Sequence, residues 1–307
     1  MDAMATGSGP YSRALVTGGA GFIGSRLVEA LTGTGCAVTV LDDLSSGRAD
    51  SLPEEVSLIE MDIADPATVR AVASVRPELV IHAAAQVSVP RSVADPERDR
   101  AVNLTGTRHV LDGARDGAAQ RFVFVSSGGA VYGDTALARE ETAPAPANPY
   151  GRHKLGAEGA VADSGLSYGV VRFANVYGPG QRADLEGGVV SIFATALREG
   201  RPVTIFGTGN QVRDLLYVDD AVSGALAIAD ARTSGTWNVA TGTPTSIRDL
   251  LDLLAARIAP ILEVRFEPVR PGDVNSSCLS IERIRRELGW TPRYAVAEGL
   301  QAMLARS

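Results

Sequence analysis

Short apolar runs alternate with helix-type patterns through the first half of this chain. The apolar runs are residues 14–16, 37–41, 56–59, 79–82, 122–125 and 169–173. Runs that are apolar on both faces are typical of parallel strands covered by helices on both sides. Between them, helical patterns begin after residue 24, at Pro66 and at Asp95 or Pro96. The pattern predicts a doubly wound α/β fold with a mostly parallel sheet.

The pattern changes after residue 175, where the segment 177–180 is rich in turn residues. Shorter elements follow: helices at 189–199, 219–229, 246–258 and 281–288, a strand at 203–206, and a last helix before residue 307. We therefore predict three parts: a flexible leader (1–12), a sheet domain (13–175), and a smaller α/β lobe (176–307) with some segments returning to the sheet. Open α/β sheets bind ligands at the carboxyl ends of their strands, so the lobe is expected to bind substrate there.

A glycine-rich stretch joins the first strand to the first helix. It contains Gly18, Gly21, Phe22, Ile23 and Gly24. Strand, glycine turn and helix in this order make the phosphate cradle of a dinucleotide-binding Rossmann unit, because the helix N-terminus presents unpaired N–H groups to a pyrophosphate. Two spacings fit, one with Gly19, Gly21 and Gly24 and one with Gly18, Gly21 and Gly24.

An acid ends the second strand, about 20 residues further on. A carboxylate at Asp42 is suited to hydrogen-bond the adenosine ribose and repels a 2′-phosphate, which favours NAD over NADP. Arg48, in the following loop, argues for NADP instead, since a guanidinium there is able to bind a 2′-phosphate.

Composition narrows the class of protein. The chain has 307 residues, 45% of them hydrophobic, and a formal net charge of −7. A negative charge disfavours a nucleic-acid surface, and the sequence contains no apolar run of membrane-spanning length and no secretory signal pattern. Two distant cysteines indicate a reduced, cytoplasmic protein, and the three histidines lack metal-ligand spacing, so no metal is expected.

Tyr150 and Lys154 are spaced to share one face of a helix. An ammonium beside a phenol favours the phenolate, and a phenolate poised near neutral pH is a general base for a sugar hydroxyl. Ser126 and Ser127 end the preceding strand, where a hydroxyl is able to hydrogen-bond a reacting oxygen. Each feature alone is common in ordinary surface sequence.

Together these motifs resemble the extended short-chain dehydrogenase/reductase superfamily, and within it the UDP-glucose 4-epimerases and related NAD-dependent nucleotide-sugar epimerases. The resemblance runs from Arg13 to near Ala305 and includes the segments 82–85, 150–154 and 172–180. It implies that Tyr150 is the base, that Lys154 binds the nicotinamide ribose and lowers the pKa of Tyr150, and that Ser127 binds the sugar 4-oxygen. For the cofactor it adds Asp62 and Ile63 as contacts of the adenine, Ala83 and Ala84 as further binding residues, and Asn103 as a residue that is either structural or near the nicotinamide.

The resemblance also implies a set of substrate residues in the second lobe. They are Asn175 near the diphosphate, Phe206 at the uracil, Arg213 and Arg270 on the phosphates, Asp273, and Ser277 beside the sugar. The family has a bulky residue at the position of Ser277 in enzymes limited to glucose and galactose, so a small one admits N-acetylhexosamines. A homodimer through the helices after Asp95 and Pro149 is a further implication.

One departure from the family pattern lies beside the catalytic strand. Counting back from Tyr132, the hydroxyl of many members falls at Gly128. A branch with the hydroxyl one position earlier favours Ser127, with Ser126 as second choice. Related dehydratases and decarboxylases carry acids where this chain has Gly129 and Ala130, which disfavours dehydration.

The expected activity is therefore NAD-dependent 4-epimerisation of a UDP-sugar through a transient 4-keto intermediate. Two alternatives remain at this point: a nucleotide-sugar reductase or 4-keto-sugar-forming enzyme of natural-product biosynthesis, and a non-catalytic dinucleotide-binding regulator.

Overall fold

A computed structural model describes residues 10–183, 188–270 and 272–306. The strands of the first half are β1 Arg13–Thr17, β2 Ala37–Asp42, β3 Ser57–Glu60, β4 Leu79–His82, β5 Arg121–Ser127, β6 Thr135–Ala138 and β7 Tyr168–Phe173. Those of the second half are β8 Asn175–Tyr177, β9 Val203–Phe206, β10 Val212–Tyr217, β11 Gly235–Val239, β12 Pro244–Ser246, β13 Val264–Glu267 and β14 Ser276–Leu279.

The helices follow the same order along the chain. They are α1 Phe22–Thr32, α2 Thr68–Val75, α3 Val89–Ala94, α4 Pro96–Arg100, α5 Thr107–Asp116, α6 Gly128–Val131, α7 Pro149–Ala162, α8 Val189–Arg198, α9 Val218–Ala229, α10 Ile247–Ala255, α11 Glu282–Leu288 and α12 Val296–Ala305. The single long helix expected after Pro96 is instead α4 and α5 joined by a π-helical stretch, Ala101–Gly106. None of the described helices is long and apolar enough to span a bilayer.

The main sheet has seven strands in the order β11-β7-β5-β4-β1-β2-β3, and every neighbouring pair is parallel. The predicted doubly wound fold is confirmed. Alternate residues of one strand serve the two faces: Val16 packs with α1 and α9 on one side, whereas Leu15 packs with α2, α5 and α7 on the other. Both faces are buried, which explains the uniformly apolar strands.

A second sheet carries the smaller lobe. Its strands run in the order β12-β10-β14-β6, with β8 also paired to β10. The lobe has its own core, in which α8 and α10 pack beside the aromatic rings of Tyr177 and Tyr217. The two parts interleave, because β11 returns to the main sheet and β6 leaves the first half to pair with β14.

The end of the predicted leader is attached to the sheet domain. The Tyr11 hydroxyl donates to the carbonyl of Ala229 at 2.7 Å, and the Ser12 backbone N–H donates to Glu78 at 2.7 Å. Residues 1–9 of the leader lie outside the described residues.

Leu27→Ala tests the packing of α1 on the main sheet. Leu27 is fully buried against this sheet, and a Leu-to-Ala change in a core costs about 2–5 kcal/mol because apolar contact is lost and a cavity remains. We expect a loss of that size in chemical unfolding. Leu262→Ala is the control: its side chain is 73% exposed and should leave the midpoint almost unchanged. Equal effects at both positions would contradict the placement of α1.

Candidate active site

A cavity of about 570 Å³ lies at the carboxyl edge of the main sheet. It brings together the predicted cofactor residues from four different loops with the predicted catalytic residues. The predicted residues in its lining are Gly18, Gly21, Phe22, Ile23, Gly24, Asp42, Asp62, Ile63, Ala83, Ala84, Ser127, Tyr150 and Lys154. This is the switch region where open α/β sheets bind dinucleotides.

The glycine turn packs so closely that three of its glycines have no room for a side chain. A Cβ would lie 2.6 Å from the backbone nitrogen of Ala84 on Gly18, 2.6 Å from Cγ2 of Val40 on Gly19, and 1.9 Å from the carbonyl oxygen of Gly18 on Gly24. Crowding therefore does not separate the two spacings, but Gly18 also has φ +67°, a conformation that favours glycine. These contacts hold the start of α1 against the turn as a pyrophosphate cradle requires.

Asp42 lies at the end of β2, buried beside this turn. Its carboxylate accepts hydrogen bonds from the backbone N–H groups of Ala20 and Leu44, both at 2.9 Å. Burial raises the pKa of Asp42, and the two N–H groups oppose this shift. The carboxylate lines the cavity, whereas Arg48 is paired with Asp50 and lines a separate cavity. This arrangement fits an adenosine ribose without a 2′-phosphate.

Of the other predicted cofactor residues, Asp62, Ile63, Ala83 and Ala84 line the cavity, whereas Asn103 does not. Asp62 accepts from Arg98 at 2.7 Å, and Ile63 is buried next to it. Asn103 is in the π-helical stretch and does not line the cavity; its amide bonds the backbone of Gln86 and the carboxylate of Asp99. Asn103 thus supports the wall from behind. The narrow glycine turn and the ribose-facing carboxylate fit NAD.

Tyr150 begins the catalytic helix α7. The side chain of Asn148 caps this helix by accepting from the Gly151 N–H at 2.9 Å, and Pro149 occupies the first position, where proline is favoured. Tyr150 is 8% exposed. Burial raises the pKa of its phenol, a hydrogen bond with Ser127 lowers it, and the charge of Asp99 raises it. In the protein alone the phenol therefore stays protonated at neutral pH.

Lys154 lies one turn further along α7 and is also buried. Its ammonium donates to the carbonyl of Val125 at 2.8 Å and lies 4.6 Å from the ring centroid of Phe124. Burial lowers the pKa of Lys154 to about 8, against the charges of Glu158 and Asp99, which raise it. The ammonium is held at the end of β5, on the cavity wall. Its effect on the pKa of Tyr150 stays a prediction.

The two candidate serines point to different surroundings, as successive residues of a strand do. Ser126 is buried and donates to Glu158 at 2.6 Å, within a network that also contains Arg172. Both serines line the cavity, but the Ser126 hydroxyl is bound to Glu158. Ser127 is the one whose interaction with Tyr150 lowers the pKa of the phenol, which favours it as the reacting hydroxyl.

The predicted substrate residues do not line this cavity; they form a second cluster in the smaller lobe. Arg213 on β10 is in register with Ser277 on β14. Burial lowers the pKa of Arg213, and the charges of Asp273 and Asp134 raise it. Asn175 donates to the carbonyl of Asp214 at 3.3 Å. Arginine, acid and amide groups thus come together at the end of the second sheet.

Arg270 completes the cluster by stacking on Phe206, with its guanidinium 3.6 Å from the ring centroid. Two contacts join the cluster to the catalytic residues. The Ser277 hydroxyl is 3.0 Å from where a Cβ on Gly129 would lie, two residues after Ser127. The carbonyl of Gly272 accepts from Asn148 at 3.5 Å. The predicted substrate residues therefore adjoin the catalytic helix and strand.

Sequence reasoning missed a group of polar residues on the opposite side of Tyr150. Gln86 and Asp99 line the cavity, and Asp99 contacts His153 at 2.6 Å. The sequence contained only a weak indication of this group. Gln86 follows the end of β4, where ligand-binding loops of parallel sheets begin. The described residues contain no group of three His, Cys, Asp or Glu side chains placed to hold a metal ion.

Residues 14–240 match the NAD dependent epimerase/dehydratase family. The chain is 41% identical over 302 residues to a UDP-glucose 4-epimerase of Mycolicibacterium smegmatis, covering 94% of this chain and 96% of that protein.

The chain belongs to the NAD dependent epimerase/dehydratase family.

Solved structures of this family share the fold closely. The UDP-glucose 4-epimerase of Thermotoga maritima, solved with UDP-glucose, has a TM-score of 0.91 at 38% identity, covering 96% of this chain and 98% of its own. The UDP-glucose 4-epimerase of Thermus thermophilus, solved with NAD, has a TM-score of 0.90 at 39% identity over the same shares. These findings confirm the resemblance and NAD as the cofactor. The homodimer and the cytoplasmic location stay predictions.

Gly24→Ala tests the cradle. The added methyl group meets the backbone carbonyl of Gly18, which has no freedom to move aside, so the turn and α1 must separate. We expect purified protein with at least about tenfold less bound NAD, and a lower melting temperature. Gly159→Ala is the control, because no atom lies within 4 Å of the new methyl group and alanine stabilises a helix interior by about 0.5–1 kcal/mol. Full NAD content in Gly24→Ala would refute the cradle.

Proposed function

We propose that this protein is a nucleotide-sugar 4-epimerase that acts on UDP-sugars with NAD. The observation that carries the proposal is that Tyr150, Ser127 and Lys154 line one cavity together with the glycine turn and Asp42, with the Lys154 ammonium held at the end of β5. A phenol, a hydroxyl and an ammonium on one wall of a dinucleotide cavity are the groups that oxidation of a secondary alcohol requires.

Each of these groups has a distinct task. Tyr150 removes the proton of the sugar 4-hydroxyl, and Ser127 hydrogen-bonds the same oxygen and orients it. Bound NAD would supply the acceptor and later donor for the C4 hydride, and the positive charge of its nicotinamide would favour the phenolate. Lys154 binds the ribose and adds a second positive charge near the phenol. After the 4-keto sugar turns, Tyr150 returns the proton.

Side chains near the catalytic strand favour epimerisation over dehydration. Dehydration needs an acid that protonates a departing hydroxyl, and Gly129 and Ala130 carry none. Asp99, a carboxylate near Tyr150, already accepts hydrogen bonds from Gln86, Asn103 and His153. We therefore infer that the ketone formed at C4 is reduced again rather than passed to an elimination step.

The second cluster supports a UDP-sugar as substrate. Arg213 and Arg270 supply guanidinium groups for a diphosphate, and the ring of Phe206 offers a flat face for a base. The Thermotoga maritima relative, solved with UDP-glucose, is in agreement. Ser277 is small and buried next to Gly129. We infer that this corner leaves space for an N-acetyl group.

The reaction is tested by incubating the purified protein with UDP-glucose, UDP-galactose, UDP-N-acetylglucosamine and UDP-glucuronate, and separating the products. We expect each accepted sugar to reach a mixture of 4-epimers without net change in NADH absorbance. Net formation or consumption of NADH would instead indicate a reductase or a 4-keto-sugar-forming enzyme. If none of the four UDP-sugars is converted, the proposal is refuted.

Tyr150→Phe should lower kcat at least about 100-fold, because general acid–base catalysis contributes about 10²–10⁴-fold, while bound NAD is retained. Tyr168→Phe is the matched control. Tyr168 lies at the amino end of β7, whereas the cavity lies at the carboxyl ends of the strands, so activity should be unchanged. If Tyr150→Phe also leaves cellular function unchanged, the protein is a dinucleotide-binding regulator rather than an enzyme.

Ser127→Ala and Ser126→Ala separate the two candidate hydroxyls. Loss of Ser127 should reduce kcat by about 10–100-fold with little change in melting temperature, since its hydroxyl faces the cavity. Loss of Ser126 removes a donor from the buried Glu158 carboxylate, so the free energy of unfolding should fall by about 1–3 kcal/mol. The decrease in kcat should be smaller than in Ser127→Ala. The reverse order in kcat would assign the role to Ser126.

A further inference from the structure

A buried carboxylate faces the catalytic helix from α4. Asp99 is 1% exposed, and its Oδ1 accepts from Gln86 at 2.7 Å and from Asn103 at 2.9 Å. Its Oδ2 is 2.6 Å from Nδ1 of His153 on α7. Burying a carboxylate is unfavourable unless its charge is balanced and its lone pairs are satisfied. Of these three partners, His153 is the one able to carry a positive charge.

His153 occupies a position that links Asp99 to the catalytic pair. It follows Tyr150 by three residues, so both side chains lie on neighbouring rows of one helix face, and it directly precedes Lys154. Asp99 is close enough to Tyr150 for its negative charge to raise the pKa of the phenol, after the larger effect of burial and against the hydrogen bond from Ser127. The Asp99 carboxylate therefore opposes formation of the phenolate that catalysis needs.

Other charged groups on the elements packed around this contact are exposed or bound elsewhere. On α3, α4 and α7 the exposed ones are Arg91, Asp95, Glu97, Arg98, Arg100 and Arg152. On α5, Arg108 is exposed and His109 contacts the carbonyl of Ile63. Glu158 is bound by Arg172, and α6 carries no charged side chain. Lys154 is a cation whose charge interacts with Asp99.

We propose that His153 is a positioning residue, which holds Asp99 against α7 and offsets its charge so that Tyr150 can lose its proton. This inference rests on the proposed function, because it concerns the base of that reaction. Gln86 and Asn103 hold the other carboxylate oxygen, so Asp99 has no second orientation available without breaking a hydrogen bond. Removing His153 leaves the carboxylate uncompensated beside Tyr150.

The experiment compares pH profiles of kcat for the NAD-loaded wild type, His153→Ala, His153→Gln, Asp99→Asn and the double variant. Activity is lost on acidification as Tyr150 becomes protonated. In His153→Ala this acid limb should move to higher pH by about half to one unit, and kcat near neutral pH should fall about 3–10-fold. Asp99→Asn should move the limb to lower pH. The double variant should return close to the wild type.

Two variants separate charge from packing. His153→Gln retains a neutral donor, so it should recover the melting temperature of the wild type while keeping most of the shift in pH. Arg152→Ala changes the exposed neighbour on the same helix and should leave both the profile and kcat unchanged. A purely structural role for His153 predicts that kcat falls by the same factor at all pH values and that Asp99→Asn does not restore it. Either a uniform loss or a lack of restoration in the double variant would overturn the proposal.

A second readout does not depend on the sugar. The ultraviolet difference spectrum between each NAD-loaded protein and the same NAD-loaded protein carrying Tyr150→Phe reports ionisation of Tyr150 alone. Tyrosinate should appear at lower pH in Asp99→Asn, and at higher pH in His153→Ala, than in the wild type. Failure of every UDP-sugar to react would refute the proposed function, yet this titration would still decide the role of His153. Identical titrations in the three proteins would refute it.

Discussion

A buried ion pair between Arg172 on β7 and Glu158 on α7 fixes the catalytic helix to the main sheet. The guanidinium contacts both carboxylate oxygens, at 2.5 Å and 3.0 Å, and both side chains are less than a tenth exposed. Arg172 also donates to the Tyr132 hydroxyl at 2.7 Å, and that hydroxyl donates to Asn238. Breaking one partner of such a pair costs about 3–5 kcal/mol, so α7 has one position against β5 and β7.

The catalytic geometry follows from that position. Tyr150 and Lys154 precede Glu158 by two turns and one turn of the same helix, so they inherit its placement. Ser126 donates to Glu158, and because successive strand residues face opposite sides, Ser127 is directed to the cavity. A single network buried at the base of the site thereby orients the proposed base, the ammonium and the hydroxyl.

Local signals in the sequence were sufficient for the main sheet, and they also indicated the glycine turn and the pair Tyr150 and Lys154, which the structure brings into one cavity. The glycine turn with Asp42 is contained in one βαβ unit, and Tyr150 and Lys154 in one helix, where spacing alone is informative. The second sheet was beyond such reasoning, because β6 pairs with β14 from the other half of the chain and no local pattern encodes that partner. Asp99 and His153 are likewise separated by 54 residues and meet only because α4 packs against α7.

Gly129 and Ser277 lie against each other where the first half of the chain meets the smaller lobe. The Ser277 hydroxyl is 3.0 Å from the position of a Cβ on Gly129, so a side chain at 129 requires this hydroxyl to give way by a small amount. The backbone of Ser277 is fixed, because β14 is paired with β10 on one side and with β6 on the other. A change at either position therefore acts on the other, and the reaction type and the sugar size that we propose share this one corner of the structure.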